Sequence, residues 1–352
     1  MRRPARTILT CLLRAVAITD GVIRRVALVA AACAALAAAY GHPVMAATPK
    51  PKPKPSPTKG VVLINTNLAL QNGSAAGTGI VLTKTGEVMT NNHVIAGATT
   101  IQVTVPATKR TYSADVVGYD ISDDVALLQL QGATNLATAT TGNSAKLKVG
   151  QAARAVGNAN GGGKLVVTSG KVLALNRSIT VQEDDGETAQ LAHLVETSAR
   201  LVPGDSGGPL LDATGRVIGM DAAGSTSSLA GSPAPGYAIA INHALTVAKQ
   251  IAAMQASTLV HIGPTAFIGL NVQNGSGGIA VGGIVAGSPA ESAGLATGDL
   301  ITSIDGAALT TVTDLRNALL THHPGDSVTI GFTDTTGTAG TVTITLAAGP
   351  PQ

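Results

Sequence analysis

From Val61 to about Ala240, short apolar runs alternate with turns rich in Gly, Asn, Asp and Thr. The runs contain many Val and Thr residues, which favour β-strands. Short strands at regular spacing are typical of antiparallel barrels or sandwiches. The predicted strands are Thr78–Thr83, Glu87–Thr90, Thr100–Val105, Thr111–Val117, Val125–Leu130, Leu165–Leu175, Ile179–Val181, Leu191–Glu196, Leu210-Leu211, Val217–Met220 and Tyr237–Ile241.

A helix and a second β-rich unit follow these strands. Ala244, Val247, Ile251 and Met254 share one helical face, and Asn242 is the predicted N-cap. The pattern predicts three segments, at residues 60–255, 256–264 (a connector) and 265–350. In the last segment we predict strands Ile268–Val272, Gly278–Val285, Leu300–Ile304, Ser327–Phe332 and Thr341–Leu346, with helices at Ser288-Pro289-Ala290 and Val312–Leu320.

The N-terminal region has the layout of an export signal. An Arg-rich stretch precedes the apolar run Val26 to Tyr40, which has about 15 residues, fewer than the ~20 needed to span a bilayer. We therefore predict for residues 1–46 a signal peptide cleaved after Ala46, with an N-terminal membrane anchor at residues 26–45 as the alternative. Both place the protein outside the cytoplasm, either secreted or in the cell envelope. Residues 47–59 alternate Pro with Lys, which predicts an extended spacer able to contact an anionic cell wall or lipid surface.

The net charge argues against a nucleic-acid partner. The whole chain carries +3, but residues 60–352 hold 13 basic and 19 acidic residues, a net charge of about −6. Both cysteines, Cys11 and Cys33, precede Ala46, so a processed chain has no disulfide. Aromatic residues make up 2% of the chain, so we expect aliphatic cores. No cluster of His, Cys and carboxylate residues indicates a catalytic metal, and we expect no cofactor.

The stretch Gly204-Asp205-Ser206-Gly207-Gly208-Pro209 places a serine hydroxyl among glycines. A serine becomes a good nucleophile only with a base in hydrogen-bond reach and a third group that orients the base. His93 and Asp124 are the upstream candidates. The order His, Asp, Ser is that of chymotrypsin-type enzymes, whereas the G-x-S-x-G elbow of α/β-hydrolases would need both partners downstream.

The chain resembles the HtrA family of serine proteases over about residues 60–350, and is most similar to secreted actinobacterial members. The matching motifs are Thr90-Asn91-Asn92-His93-Val94, Asp124-Val125-Ala126-Leu127, Val156-Gly157-Asn158, Pro203-Gly204-Asp205-Ser206-Gly207-Gly208-Pro209-Leu210, Gly287-Ser288-Pro289-Ala290 and Gly298-Asp299. The resemblance implies a mainly β chain, with a chymotrypsin-like double β-barrel followed by a PDZ domain. It also implies an exported endopeptidase that forms an acyl-enzyme, with a role in protein quality control.

The resemblance also implies roles for individual residues. His93 would be the general base, Asp124 would orient it, and Ser206 would be the nucleophile. We choose Asp124 over Asp123 because it directly precedes the apolar strand, as the family's acid does. The N–H groups of Gly204 and Ser206, with help from Asp205, would bind the oxyanion.

Two further sites concern substrate recognition. Arg200 lies six residues before the serine, near the expected floor of the primary specificity pocket, where the family usually has a small or apolar residue. An inward guanidinium would select acidic side chains, and an outward one would leave the pocket apolar. Phe267-Ile268-Gly269-Leu270 resembles the PDZ loop that binds a peptide C-terminus. The expected partners are unfolded or damaged polypeptides.

Several alternatives stay open. One is a chaperone-like binding protein in which the protease fold is a quiescent scaffold, and another is an esterase that uses the same residues. Residues 183–187 are acidic, and we expect a solvated loop rather than a calcium site. His193, His243, His261, His322 and His323 match no family site. Val61 to Thr78 contains no aromatic residue, so the family's trimer is not implied, and the homo-oligomeric state is open.

Overall fold

The computed structural model describes residues 56–182, 188–224 and 234–352. The predicted leader, most of the predicted spacer and the acidic segment 183–187 lie outside these residues. In the part of the chain that is described, no helix is long and apolar enough to cross a membrane.

Six strands close into a first β-barrel. They are β1 (Val61–Leu68), β2 (Gly73–Val81), β3 (Glu87–Thr90), β4 (Thr100–Val105), β5 (Arg110–Asp120) and β6 (Val125–Leu130). Their order is β5-β4-β1-β2-β3-β6, and β6 pairs back onto β5. Alternate side chains, such as Val62 and Ile64, are fully buried inside the barrel. Strand β1 was missing from the sequence prediction.

Six further strands close into a second barrel. They are β7 (Ala152–Gly157), β8 (Val166–Gln182), β9 (Thr188–Thr197), β10 (Pro209–Asp212), β11 (Val217–Gly224) and β12 (Gly236–Ala240), in the order β10-β11-β12-β9-β8-β7. Two strands predicted within residues 165–181 are one long strand, β8. Its register with β9 shifts three times, so bulges bend this strand while its pairing continues.

Two helices and the connector differ in detail from the sequence prediction. Helix α1 (Asn92–Ile95) follows β3, and α2 (Ile241–Ala252) follows β12. The N-cap of α2 is Ala240, so the Asn242 prediction was wrong: this side chain bonds instead to Asn143 and to the Ser144 N–H. The predicted connector contains β13 (Val260–Ile262), which pairs with β5 of the first barrel.

The C-terminal unit is a small β-domain with two helices. It contains β14 (Thr265–Phe267), β15 (Leu270–Gly275), β16 (Gly278–Ile284), α3 (Pro289–Ser292), β17 (Leu300–Ile304), β18 (Ala307–Ala308), α4 (Val312–Leu319), β19 (Ser327–Thr333), β20 (Ala339–Thr345) and β21 (Ala347–Gly349). The sheet order is β15-β16-β17-β19-β20, so β15 is an edge strand. A reciprocal capping box of Thr311 and Asp314 starts α4. The double barrel and this domain confirm the predicted fold class.

Hydrogen bonds tie the C-terminal domain to the first barrel. The buried Tyr119 hydroxyl lies 3.0 Å from Thr265 Oγ1 at the start of β14. After β21, the Pro351 carbonyl accepts from the Gly97 N–H (2.7 Å), and the Gln352 carbonyl accepts from the Asn92 amide (2.9 Å). The residues after β21 therefore bond to the first residue of α1 and to the turn that follows α1.

Candidate active site

The three candidate catalytic residues come from both barrels. His93 lies in α1, and Asp124 immediately precedes β6, so both belong to the first barrel. Ser206 lies in the loop just before β10 of the second barrel. The candidate site therefore lies where the two barrels meet.

His93 and Asp124 form a close pair. One Asp124 oxygen lies 2.8 Å from His93 Nδ1, and the other accepts a hydrogen bond from the His93 backbone N–H at 3.0 Å. Asp124 has a left-handed backbone (φ 52°), and the Asn91 amide donates to its carbonyl at 2.9 Å. This two-point contact fixes the ring and favours the tautomer with a proton on Nδ1, which leaves Nε2 to act as a base.

The neighbouring Asp123 points to a different histidine. Its Oδ1 lies 2.8 Å from His243 Nε2 on α2, an ion pair when the imidazole is protonated, although poorly aligned for a hydrogen bond. The contact with Asp123 raises the pKa of His243, while burial opposes the rise. The His193 ring lies against the same ring at an interplanar angle of 32°, with 4.1 Å between the centroids. Asp123 therefore belongs to a separate cluster.

The Ser206 hydroxyl donates to the Ala222 carbonyl on β11, at 3.2 Å. A hydroxyl has one proton, so this bond must break before the proton can pass to an imidazole. The hydrogen bond between a catalytic serine and its imidazole base often forms only when substrate binds.

Thr78 of β2 holds the loop that carries Ser206. Its hydroxyl donates to the Gly204 carbonyl (2.7 Å) and accepts from the Asn158 N–H (2.9 Å), and its N–H donates to the Ser206 carbonyl (2.9 Å). The first barrel thus orients a loop of the second. The sequence analysis missed Thr78, because a threonine inside a strand pattern gives no sign of this role.

Two backbone N–H groups lie at the serine, its own and that of Gly204. Among the described residues, neither the Gly204 N–H nor the Ser206 N–H donates a hydrogen bond, whereas the Asp205 N–H donates to the Val202 carbonyl at 3.0 Å. Gly204 has φ +91°, and an added Cβ would lie 2.3 Å from the Asn158 carbonyl oxygen. Only glycine fits there. The arrangement offers two N–H groups to an anion, and Asp205 contributes none.

One buried carboxyl lies within the Ser206 loop, at Asp205, and another lies on β11, at Asp221. Asp205 is 5% exposed and Asp221 is fully buried, with neither Asp221 side-chain oxygen hydrogen-bonded within the described residues. Burial, and then the charge of Asp205, raise the pKa of Asp221 well above its usual value of 3.8. Burying an ionised carboxylate is costly, so this site favours the neutral form of Asp221.

Replacing Asp221 by Asn should change the pH dependence of stability. When folding raises the pKa of an acid, its protonated form stabilises the folded protein at low pH. This contribution is lost as the pH rises from the pKa of the unfolded state through the pKa of the folded state. Asn cannot ionise. We therefore expect the Tm of Asp221→Asn, relative to wild type, to rise as the pH increases above about 4. Calorimetry with Asp115→Asn, at an exposed site, is the control, and a pH-independent difference for Asp221→Asn would contradict the expectation.

The predicted PDZ loop presents backbone N–H groups outward. The Ile268 carbonyl accepts from the Ala290 N–H, and the Gly269 carbonyl from the Val285 N–H, both at 2.9 Å. Because a trans peptide points its N–H opposite to its carbonyl, the N–H groups of Gly269 and Leu270 point away from the domain core. Gly269 has φ +92°, and an added Cβ would lie 2.1 Å from Ser288 Cβ.

Arg200 lies exposed on the surface. Of the two orientations considered from the sequence, this exposure favours the outward one. The neighbouring residue Ala199 is fully buried. The described residues contain no group of three or more His, Cys, Asp or Glu side chains able to hold a metal ion.

Comparison with known proteins places both halves of the chain. Residues 77–220 match the trypsin-like peptidase domain, and residues 266–342 match the PDZ domain. The fold and the matched domains define a trypsin-like serine peptidase joined to one PDZ domain.

Individual relatives identify the family more narrowly than the two domain matches do. Serine protease Do-like HtrA of Lactococcus lactis subsp. lactis (strain IL1403) is 31% identical over 277 residues, 74% of this chain and 67% of the relative. The periplasmic pH-dependent serine endoprotease DegQ of Escherichia coli (strain K12) is 35% identical over 269 residues, 73% of this chain and 56% of the relative. The chain belongs to the HtrA family of serine proteases. A solved HtrA-type protease AlgW with a tripeptide is 28% identical, with a TM-score of 0.48, over 85% of this chain and 99% of its own.

Proposed function

We propose that the protein hydrolyses peptide bonds with His93, Asp124 and Ser206 as its catalytic triad. His93 Nε2 takes the Ser206 proton as the hydroxyl attacks the substrate carbonyl, and returns it to the leaving amine. Water then hydrolyses the acyl-enzyme with His93 again as base. The contact that carries the proposal is the two-point hydrogen bonding of Asp124 to the His93 ring and backbone.

The N–H groups of Gly204 and Ser206 would bind the oxyanion of the tetrahedral intermediate. They support this role because both are unengaged within the described residues, next to the nucleophile. Each such donor typically stabilises the transition state by about 3 kcal/mol. The Asp205 carboxyl, which accepts from the Val202 N–H at 3.0 Å, would support the loop. With Arg200 pointing outward, we expect an apolar primary pocket.

The PDZ domain would bind peptide C-termini. The outward N–H groups of Gly269 and Leu270 suit a carboxylate, and the open edge of β15 suits strand addition by the peptide. We further propose an extracytoplasmic location, because the leader has the layout of an export signal and relatives such as DegQ are named as periplasmic. Unfolded or damaged polypeptides are the proposed substrates.

Hydrolysis of casein by the full chain tests this function, with cleavage sites mapped by mass spectrometry. We expect peptide-bond cleavage, with a preference for apolar residues before the scissile bond. Turnover of a small ester without casein cleavage would favour the esterase alternative. Peptide binding without any turnover would favour the chaperone-like alternative.

A further inference from the structure

The loop that carries Ser206 is held at four consecutive carbonyl groups. The acceptors and their donors are Pro203 with the Asn160 N–H (2.6 Å), Gly204 with the Thr78 hydroxyl (2.7 Å), Asp205 with the Gly208 N–H (2.9 Å), and Ser206 with the Thr78 N–H (2.9 Å). A trans peptide points its N–H opposite to its carbonyl, so these bonds also fix the N–H directions. Among the N–H groups fixed in this way are those of Gly204 and Ser206, the proposed oxyanion donors.

The Thr78 hydroxyl is the side-chain donor of this set. The other three donors are backbone N–H groups, and these remain when any residue except proline is substituted. The hydroxyl binds the peptide that follows Gly204, and the Asn160 N–H binds the peptide that precedes it. Glycine has no Cβ to restrict its torsion angles, so these two bonds set the conformation at Gly204. Removal of the hydroxyl frees one side of it.

Thr78 is fully buried, and so are the two residues that bond to it from neighbouring segments. Its hydroxyl accepts from the Asn158 N–H at 2.9 Å, and its carbonyl accepts from the Thr90 hydroxyl at 2.7 Å. Loss of the Thr78 hydroxyl would leave the Asn158 N–H and the Gly204 carbonyl unpaired in the interior. Unpaired buried groups are costly, so the loop would rearrange to pair them.

Thr78 also links the segments that carry the base and the nucleophile. Thr90 is the last residue of β3, three residues before His93. An added Cβ at Gly207 would lie 2.1 Å from the Thr78 carbonyl oxygen, so the Ser206 loop lies directly against β2. A short path of buried hydrogen bonds thus runs from Thr90 through Thr78 to the loop.

We propose that Thr78 is a positioning residue for peptide-bond hydrolysis. Its hydroxyl fixes the peptide between Gly204 and Asp205, and thereby directs the Gly204 and Ser206 N–H groups towards the oxyanion. The inference rests on the proposed function, which it deepens. Negative charge develops on the substrate oxygen only on the way to the transition state, so the hydroxyl should contribute to kcat and not to substrate binding.

Steady-state kinetics of Thr78→Val in the full chain test this role. Valine keeps the shape of threonine and lacks the hydroxyl. A displacement of about 1 Å in catalytic groups typically costs about a hundredfold in rate. We expect kcat to fall by about that factor, with KM within about threefold of wild type. The substrate is an internally quenched peptide with the sequence of a cleaved site in casein. A kcat within about threefold of wild type would overturn the proposal.

Two further variants serve as controls. Thr78→Ser retains the hydroxyl and should keep kcat within about threefold of wild type. Thr66 is a threonine of the same barrel, 3% exposed, whose hydroxyl donates to the Ala75 carbonyl at 3.3 Å. Thr66→Val therefore loses a buried hydroxyl that donates elsewhere than to the Ser206 loop, and kcat should be unchanged. A loss in either control equal to that in Thr78→Val would contradict a role of the Thr78 hydroxyl in the loop.

A peptide boronic acid separates positioning from loss of folded protein. The Ser206 oxygen adds to boron as its proton passes to His93, and the adduct is tetrahedral and negatively charged like the oxyanion intermediate. We expect the inhibition constant of Thr78→Val to rise by about the factor by which kcat falls. A smaller folded fraction would lower the number of sites and leave this constant unchanged. A fall in kcat with an unchanged inhibition constant would therefore count against positioning.

Hydrogen exchange distinguishes this inference from the proposed function, because it needs no turnover. Mass spectrometry follows the amides of residues 202–210. They should exchange at least about tenfold faster in Thr78→Val than in wild type, and at the wild-type rate in Thr66→Val. This acceleration in a chain whose wild type hydrolyses nothing would contradict the proposed function alone. Hydrolysis by wild type, with unchanged exchange in Thr78→Val, would contradict the role of Thr78 alone.

Discussion

Casein hydrolysis by Ser206→Ala is expected to fall to the background rate, a loss of about a millionfold in kcat. The serine oxygen forms the acyl-enzyme bond, and alanine has no atom that replaces it. The fold should be retained, because Thr78 holds the loop: its hydroxyl donates to the Gly204 carbonyl and its N–H donates to the Ser206 carbonyl.

The matched control for this variant is Ser169→Ala. Ser169 lies exposed on β8, and its loss should leave the rate unchanged. Retention by Ser206→Ala of more than about 1% of the wild-type rate would be incompatible with a serine nucleophile at this position, given the expected loss.

Replacement of Asp124 by Asn is expected to lower kcat about ten thousandfold. The Asn amide can donate towards His93 Nδ1, which would favour the tautomer with its proton on Nε2. That ring cannot accept the serine proton. The amide also carries no charge to stabilise the imidazolium that forms during attack. The pH dependence of kcat/KM, measured alongside kcat, reports the loss of the base.

Asp123→Asn is the matched control for Asp124→Asn. The two carboxylates are adjacent in sequence, but Asp123 lies 2.8 Å from His243 Nε2, and Asp124 lies 2.8 Å from His93 Nδ1. We expect less than about a threefold change in kcat for Asp123→Asn, since its carboxylate pairs with His243. Equal losses in both variants would contradict the assignment of Asp124.

Some strands with a turn on each side were predicted correctly from the sequence. Glu87–Thr90 and Val125–Leu130 are confirmed to the residue. Strand β8 was predicted as two strands, because Asn176 and Arg177 interrupt its apolar pattern. The structure keeps it continuous through bulges opposite β9. Strand β13 was missed because its pairing depends on β5, far away in the sequence.

The sequence was enough to predict which residues form the candidate site, but not how they contact one another. The motifs identified His93, Asp124 and Ser206, and the first two lie in direct contact in the structure. Thr78 and Asp221 carry no sequence signal, because their surroundings come from distant strands. The hydrogen bonds of Tyr119 and of residues 351 and 352 follow from the docking of two domains, which no local pattern encodes.

Labelling with a fluorophosphonate tests the central claim most directly. The reagent phosphonylates an activated serine, with loss of fluoride, and mass spectrometry of the digested protein locates the adduct. We predict a single adduct on Ser206 in the wild-type full chain, and strongly reduced labelling in Asp124→Asn. Absence of an adduct on Ser206 in wild-type protein whose native fold has been verified, or an adduct on another serine, would contradict the account.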